Sequence, residues 1–269
     1  WRRQTLWNLL GVKHPQAAER DMGSGTTSRT ARATPRERWL RLVEEVEDPI
    51  VPRARSEILG RALNFILALL ALALVSPLLL LIAVAVKVTS RGPIFYTQTR
   101  IGLDRRWNRA PPPDGETLRT HDLGGEVFTI YKFRTMCVNA EHLSGAVWAA
   151  KEDPRVTPVG KFLRQYRLDE LPQLFNVLLG DMNIVGPRPE RPSIFAQLRT
   201  TISGYHARQR VKPGITGLAQ VNQQYDQCLD DVRKKLEFDL QYLHRQGFWE
   251  DIRIMLKTVP VVLFRRGGW

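Results

Sequence analysis

The longest apolar run of the chain occupies residues 62–86 and contains no charged residue. At a rise of about 1.5 Å per residue, a helix over this run is long enough to cross the hydrocarbon core of a bilayer. Ser76 and Pro77 interrupt the run near its middle, where the proline removes a helical hydrogen bond and the serine hydroxyl can satisfy part of what is freed. Basic residues flank both ends, which favours both ends on the cytoplasmic side. The pattern leaves open a span, straight or kinked, and a re-entrant helix that turns back within one leaflet.

Alternation of polar and β-forming residues predicts two strands, over residues 93–101 and 126–133, which we interpret as a hairpin. The period of two places Lys132 and Arg134 on one face of the second strand. That face is either a solvated sheet edge or part of an anion site. The proline-containing connection, residues 102–125, is interpreted as a disordered insertion rather than a specificity loop.

The remaining periodicity is helical. Residues 157–180 carry apolar residues at helical spacing, with an interruption at Pro172 and a stop signal at Gly180. Further helices are predicted over residues 34–48, 194–210, 229–246 and 248–264. The last of them is apolar and aromatic with basic ends, so it either lies in the membrane interface or packs on the core.

These elements predict an α-rich α+β fold with one small antiparallel hairpin, one membrane helix and amphipathic interfacial helices. We divide the chain into a polar, basic and partly disordered N-terminal segment (1–55), the membrane helix (56–89) and one folded domain (90–269). The N-terminal segment contains no recognisable chemistry.

The net charge of +13 indicates a polyanionic partner: nucleic acid, anionic lipid or a phosphorylated substrate. The two cysteines, Cys137 and Cys228, stand far apart in no metal-binding spacing and are interpreted as reduced thiols. A basic nucleic-acid-binding protein anchored to a membrane would explain the charge. It would not explain why an acidic pair lies among the basic residues.

That acidic pair is Asp169 and Glu170. The pair follows a basic run and precedes Arg188, which lies in a Pro-Arg-Pro turn. Next to the predicted helix start at Pro172, the pair is either a helix cap or a site for phosphate and a divalent metal. The fixed backbone of the two prolines preorganises Arg188 for binding. The turns at Pro213-Gly214 and Thr216-Gly217 offer backbone N–H groups that either bind an anion or only form ordinary turns.

Five stretches together resemble the monotopic phosphoglycosyl transferases in their order along the chain. They are SRGPIFYTQTRIG (90–102), FTIYKFRTM (128–136), DPRVTPVGKFLR (153–164), LDELPQLFNVLLGDMNIVGPRP (168–189) and VKPGITGLAQVN (211–222). The resemblance implies that the apolar run is a re-entrant helix broken at Ser76-Pro77. It also makes residues 90–269 a catalytic domain.

The implied reaction moves a sugar 1-phosphate from a nucleotide sugar, expected to be a UDP-sugar, to polyprenyl (undecaprenyl) phosphate. Asp169 would be the nucleophile of a covalent intermediate, and Glu170 would hold Mg²⁺ together with Asp169. From the residue pattern and the resemblance together, the residues expected to bind phosphate and substrate are Lys132, Arg134, Arg164, Pro187, Arg188, Gly214 and Thr216.

The expected location is the cytoplasmic face of a bacterial inner membrane, at the first membrane step of exopolysaccharide, capsule, O-antigen or glycoprotein glycan synthesis. Downstream glycosyltransferases are expected partners, nucleic acid is not, and homodimerisation stays open. Departures from the family pattern are Arg167 in place of a small hydroxyl residue, the long loop at 102–125, and VNQQ at 221–224. They leave the sugar undetermined. A non-catalytic assembly scaffold is the second alternative.

Overall fold

The computed structural model describes residues 50–105, 107, 123–138, 140, 153–223 and 228–263. The predicted N-terminal helix and most of the predicted loop at 102–125 lie outside these ranges. In chain order the described elements are α1 (Glu57–Thr89), β1 (Phe95–Ile101), β2 (Val127–Phe133), α2 (Pro158–Gln165), a 3₁₀ turn (Leu168–Glu170), α3 (Gln173–Leu179), β3 (Asn183–Val185), α4 (Pro192–Thr201), a second 3₁₀ turn (Tyr205–Arg210), β4 (Gly214–Thr216), α5 (Leu218–Asn222), α6 (Leu229–Arg245) and α7 (Phe248–Leu263).

Helix α1 contains the apolar run and is long and apolar enough to cross a membrane. It begins at Ser56, whose hydroxyl accepts a hydrogen bond from the Leu59 backbone N–H. The helix continues through Pro77, so the break predicted at Ser76-Pro77 is not present. The Ser76 hydroxyl donates to the Ala73 carbonyl at 2.9 Å. That carbonyl is the one that Pro77 leaves without its helical donor, so the predicted role of Ser76 is confirmed.

One stripe of α1 packs on the domain, and the rest of the helix is exposed. Ala68 belongs to a core cluster with residues of β2 and α3, while Ile82 and Val86 pack with Phe133 and Leu163. The exposed face includes the side chains of Ile58, Leu69, Leu70, Leu74, Leu80, Leu81, Val84 and Val88. An apolar surface of this extent fits a lipid environment better than water.

Strands β1 and β2 form the predicted antiparallel hairpin, in register from Phe95 opposite Phe133 to Ile101 opposite Val127. Asn176 of α3 fastens the outer edge of β2 through its side-chain amide. Its oxygen accepts from the Tyr131 N–H at 3.2 Å, and its nitrogen donates to the Thr129 carbonyl at 2.7 Å. The hairpin therefore has a fixed position relative to α3.

The region predicted as one interrupted helix, 157–180, contains two helices with a separate 3₁₀ turn between them. Helix α2 ends at Gln165, and the backbone departs from helical geometry at Tyr166 (φ −105°, ψ 7°) and is left-handed at Arg167 (φ 55°), rather than changing only at Pro172. Pro172 precedes the first residue of α3, and Gly180 ends that helix with φ 95°, as predicted. Asp169 and Glu170 consequently occupy a turn of their own and provide no side-chain cap to α3.

Two further helix predictions need correction. The helix predicted over 194–210 is divided into α4 and a 3₁₀ turn: the backbone is extended at Ile202 (φ −121°, ψ 115°) and left-handed at Gly204 (φ 72°), and an α-helix excludes both conformations. Helical spacing around α3 predicts one buried apolar face formed by Leu171, Leu174, Phe175, Leu178 and Leu179. Leu174 is buried as predicted, but Phe175 and Leu179 are 44% and 66% exposed, and Val177 is buried instead. Helix α6 matches its prediction, and α7 forms where a helix was expected.

Strands β3 and β4 form a short parallel pair, with Asn183 opposite Gly214 and Val185 opposite Thr216. The backbones approach so closely here that a Cβ on Gly214 would lie 2.1 Å from the Gly186 nitrogen. Only glycine fits at this position. The pair fixes the beginning of the Pro-Arg-Pro turn, which follows directly after β3.

The segment before α1 is attached to the C-terminal helices. The Arg53 N–H donates to the Leu243 carbonyl at 2.9 Å, and the Gln246 amide donates to the Arg53 carbonyl at 2.8 Å. Arg55 forms an ion pair with Asp251 of α7 at 3.3 Å. Residues just before α1, assigned to the N-terminal segment in the prediction, thus contact the folded domain.

Candidate active site

Two separate parts of the chain converge on the carboxylate of Glu170. The Lys132 ammonium of β2 donates to Oε1 at 2.7 Å. Arg188 binds both oxygens with its guanidinium: Nη1 lies 3.1 Å from Oε2, and Nη2 donates to Oε1. Glu170 is only 8% exposed, so this bidentate pair is shielded from solvent.

The charges around Glu170 keep it ionised. Burial alone would raise the pKa of Glu170, but the charges of Arg188 and Lys132 outweigh burial and hold that pKa well below its usual range. Burial lowers the pKa of Lys132, an effect that the Glu170 charge partly offsets. Glu170 is therefore a fixed anion that holds two cations in place.

Asp169 has the same exposure as Glu170, 8%, but a different environment. In the described part of the chain no side chain donates a hydrogen bond to its carboxylate. Burial raises the pKa of Asp169 to about 6, although the nearby charges of Lys132, Arg164 and Arg188 oppose that rise. Such a carboxylate is ionised at neutral pH and is poorly solvated, which suits a nucleophile.

The cations predicted for the site fall into two groups. Lys132, Arg164 and Arg188 all influence the ionisation of Asp169, and Arg164 is held by a 2.9 Å hydrogen bond from its Nε to the Thr135 hydroxyl. Arg134 instead donates to the carbonyls of Ser90 and Arg91, at 2.8 and 2.9 Å, and to the Ser90 hydroxyl. Its hydrogen bonds thus join the end of α1 to the hairpin.

Pro187, Gly214 and Thr216 hold the backbone behind Arg188. The Gly214 N–H, predicted to be available to an anion, donates to the Pro187 carbonyl at 2.9 Å. The Thr216 hydroxyl lies 2.7 Å from that of Thr258 in α7. Binding of substrate by these three residues stays a prediction, and their described contacts are with the protein itself.

Sequence reasoning missed a polar row on β1. The Gln98 amide donates to the Tyr96 hydroxyl at 2.9 Å and accepts from Arg100 at 2.6 Å. Tyr96 pairs directly opposite Lys132 in the hairpin, so the row begins beside the acidic pair. The alternation of residues 96, 98 and 100 with threonines was the signal that could have revealed it.

The acidic pair supplies only oxygen ligands. Among the described residues there is no group of three or more His, Cys, Asp or Glu side chains that could hold a metal ion. Mg²⁺ is commonly bound by one or two carboxylates and completed by substrate phosphates. The donor set of Asp169 and Glu170 fits that mode of binding and does not fit an all-protein metal cage.

The sequence profile of the bacterial sugar transferases matches residues 55–265 of this chain, which include every element of the site. The chain belongs to this family. One relative of this sugar transferase is the UDP-glucose:undecaprenyl-phosphate glucose-1-phosphate transferase of Klebsiella pneumoniae, 42% identical over 219 residues that make up 78% of this chain and 43% of the relative.

A second relative is the UDP-N-acetylgalactosamine-undecaprenyl-phosphate N-acetylgalactosaminephosphotransferase of Aeromonas hydrophila, 39% identical over 80% of this chain and 46% of the relative. A third, from Caulobacter vibrioides, carries the same name as the Klebsiella relative and is 38% identical over 79% of this chain and 73% of its own length. These names confirm the resemblance to phosphoglycosyl transferases. The chain spans less than half the length of the first two relatives.

Proposed function

We propose that this chain transfers a sugar 1-phosphate from a UDP-sugar to undecaprenyl phosphate and releases UMP. The observation that carries the proposal is the arrangement of Asp169, a buried carboxylate without a described side-chain hydrogen-bond donor, beside Glu170, which is fixed by Lys132 and Arg188. The relatives' names support the same reaction class and include two different sugars, glucose and N-acetylgalactosamine.

In the first step the ionised Asp169 carboxylate attacks the phosphorus that bears the sugar. A bond forms between a carboxylate oxygen and that phosphorus, the bond from phosphorus to the bridging oxygen breaks, and the electron pair leaves with UMP. In the second step an oxygen of undecaprenyl phosphate attacks the same phosphorus and releases the Asp169 carboxylate. The product is undecaprenyl diphosphate sugar, and no general base is required because both nucleophiles are anions.

Three cations support both steps. An anionic nucleophile repels a diphosphate, so Lys132, Arg164 and Arg188 are needed to lower the potential around Asp169. Glu170 keeps two of these cations in position. Asp169 and Glu170 would hold Mg²⁺, which when bound supplies further neutralisation of the phosphate oxygens.

The contacts of α1 support a re-entrant helix rather than a span. Near its start, Arg61 donates to the carbonyls of Val177 and Leu178 at the end of α3. At its end, the Ser90 carbonyl accepts from Arg134 at 2.8 Å. A spanning helix would carry one end across about 30 Å of hydrocarbon, away from the domain that holds the other end.

Apolar side chains on other helices support membrane contact by the domain itself. Phe162 of α2, Phe175 and Leu179 are 54%, 44% and 66% exposed. On α7, Trp249 is 79% and Leu256 67% exposed, while Ile254 on the opposite face is buried. This distribution suits helices that lie in a bilayer interface. In the proposed function that interface is the cytoplasmic face of an inner membrane.

The decisive experiment tests the nucleophile. The Asp169→Asn variant should lose transfer to undecaprenyl phosphate and should not be labelled by a UDP-sugar that carries ³²P in its β-phosphate, because an amide cannot form the acyl phosphate. Labelling is measured on the denatured protein after a few seconds with Mg²⁺. Asp230→Asn, an exposed change on α6, is the matched control and should behave as the unaltered chain.

Full transfer by Asp169→Asn would refute the covalent step. Absence of UMP release by the unaltered chain, with a panel of UDP-sugars, would instead favour the assembly scaffold.

A further inference from the structure

The backbone that carries Arg188, residues 187–190, has every carbonyl hydrogen-bonded, and we call it the arginine loop. Two carbonyls accept from backbone N–H groups: that of Pro187 from Gly214 at 2.9 Å and that of Glu190 from Ile101 at 3.0 Å. The two in between accept from guanidinium groups. Arg208 donates to the Arg188 carbonyl at 2.9 Å, and Arg100 donates to the Pro189 carbonyl at 3.0 Å.

Arg208 is the more deeply buried of the two guanidinium donors, with 1% exposure. Its Nε donates to Asp239 at 2.9 Å, and its Nη1 donates to the Tyr205 hydroxyl at 2.7 Å and to Glu190 at 3.2 Å. Lys235 also donates to Glu190, at 2.8 Å. Two cations and two anions thus balance, which is what allows arginine to be held without solvent.

A buried cluster of this kind is poor evidence for stability, since apolar residues of the same volume often serve as well. An apolar side chain could not, however, donate to the Arg188 carbonyl. The carboxylates orient the planar guanidinium of Arg208, and its remaining nitrogen, Nη2, reaches the loop while also contacting Asp239 at 2.7 Å. The cluster therefore has a geometric consequence at the backbone of a site residue.

We infer that Arg208, assisted by Arg100, is a positioning residue for Arg188. The guanidinium of Arg188 must meet both oxygens of Glu170, so its backbone tolerates little displacement. A misplacement of about 1 Å at a reacting centre can lower a rate by about 10²-fold. Arg208 has no described contact with Asp169 or Glu170, and it acts on the site through the arginine loop alone. The inference rests on the proposed function for its kinetic test.

The test is a double-mutant cycle. Arg208→Lys keeps the charge balance but loses the planar fork, so kcat/KM for the UDP-sugar should fall by about 10–100-fold, with Tm changed little. The Arg188→Lys variant should lose at least as much kcat/KM. In the double variant the two losses should not multiply, because Arg208 acts through Arg188. Arg55→Lys, at an ion pair that does not touch the loop, is the control and should retain its rate.

An unchanged rate for Arg208→Lys, or losses that multiply in the double variant, would overturn the inference. If Arg208→Lys does not fold, Arg100→Lys provides the same cycle from the other guanidinium. Binding of pyrophosphate with Mg²⁺, measured by calorimetry, gives a readout that does not need turnover. If Arg208→Lys weakens pyrophosphate binding in the unaltered chain but not in the Arg188→Lys variant, positioning is supported even if transfer itself is not found. If Arg208→Lys weakens binding equally in both proteins, the inference is contradicted.

Discussion

Asp169 and Glu170 are adjacent, yet their carboxylates meet opposite conditions. Glu170 is surrounded by donors that favour its ionised form, whereas burial dominates at Asp169 and favours the protonated form. On the proposed mechanism the two side chains therefore have different roles: Glu170 holds the cations in position, and Asp169 is the nucleophile. The sequence predicted the pair and its cations. It could not predict which carboxylate receives the hydrogen bonds, since that depends on how β2 and the arginine loop approach the turn.

The rate of the first step should depend on pH through Asp169. The proposed nucleophile is the ionised form of Asp169, and burial raises the pKa of that carboxyl to about 6. The rate of the UMP burst should therefore rise about tenfold per pH unit below that value and level off above it. The measurement is a single-turnover series from about pH 5 to pH 8. Arg164→Gln removes a cation that opposes the rise of this pKa, so its inflection should move to higher pH. A flat profile in both proteins would contradict the assignment.

The same pKa shifts predict opposite stability effects. The folded-state pKa of Asp169 lies above its ordinary value of 3.8, so its contribution to stability is present below about pH 4 and is lost as the pH rises through about 6. At pH 7.5, Asp169→Asn should therefore raise Tm, by about 2–4 °C in detergent. Glu170 has a lowered pKa, so its contribution is present above its ordinary pKa, and Glu170→Gln should lower Tm. A decrease with Asp169→Asn would count against burial as the cause.

Among the elements, the hairpin and α6 could be predicted from periodicity. Side chains two residues apart share a face of a strand, and those three or four apart share a face of a helix, whatever surrounds them. The boundary between α2 and the 3₁₀ turn, at Arg167, could not be predicted in this way. A left-handed conformation at a residue other than glycine carries no sequence signal, and tertiary contacts decide it. The left-handed Arg167 lies between α2 and the 3₁₀ turn that carries the acidic pair, so it separates that turn from the helix.

The topology of α1 is testable with single cysteines. Ala54→Cys and Val88→Cys place exposed thiols at its two ends, in a background where Cys137 and Cys228 are replaced by serine. A re-entrant helix puts both thiols on the cytoplasmic side, so a membrane-impermeant maleimide should label both in inverted vesicles and neither in intact cells. Labelling of one thiol in each preparation would indicate a span. Replacing Ser76 and Pro77 with Ala and Leu, which restores the helical hydrogen bond, should shift the pattern towards a span.

At the scale of the whole molecule, the fold joins residues that are far apart in the chain. Arg208, Asp239 and Glu190 come from three separate parts of the chain, and the contact between Arg53 and α6 crosses most of its described length. No periodicity or motif announces such contacts, because they arise only when the elements pack. The sequence therefore predicted the reaction class and the acidic pair, but not the buried cluster that holds the arginine loop.

The two ends of α1 lie against the same domain, and this feature bears on how the protein meets membranes of different thickness. A spanning helix must match its apolar length to the hydrocarbon core, and mismatch is relieved by tilt or by deformation of the lipid. A helix that returns to the leaflet it came from has no far headgroup layer to reach. On the proposed topology, acyl-chain length therefore leaves the height of Asp169 relative to the near headgroups unchanged, and a lipid phosphate meets the nucleophile at the same depth in thin and thick bilayers.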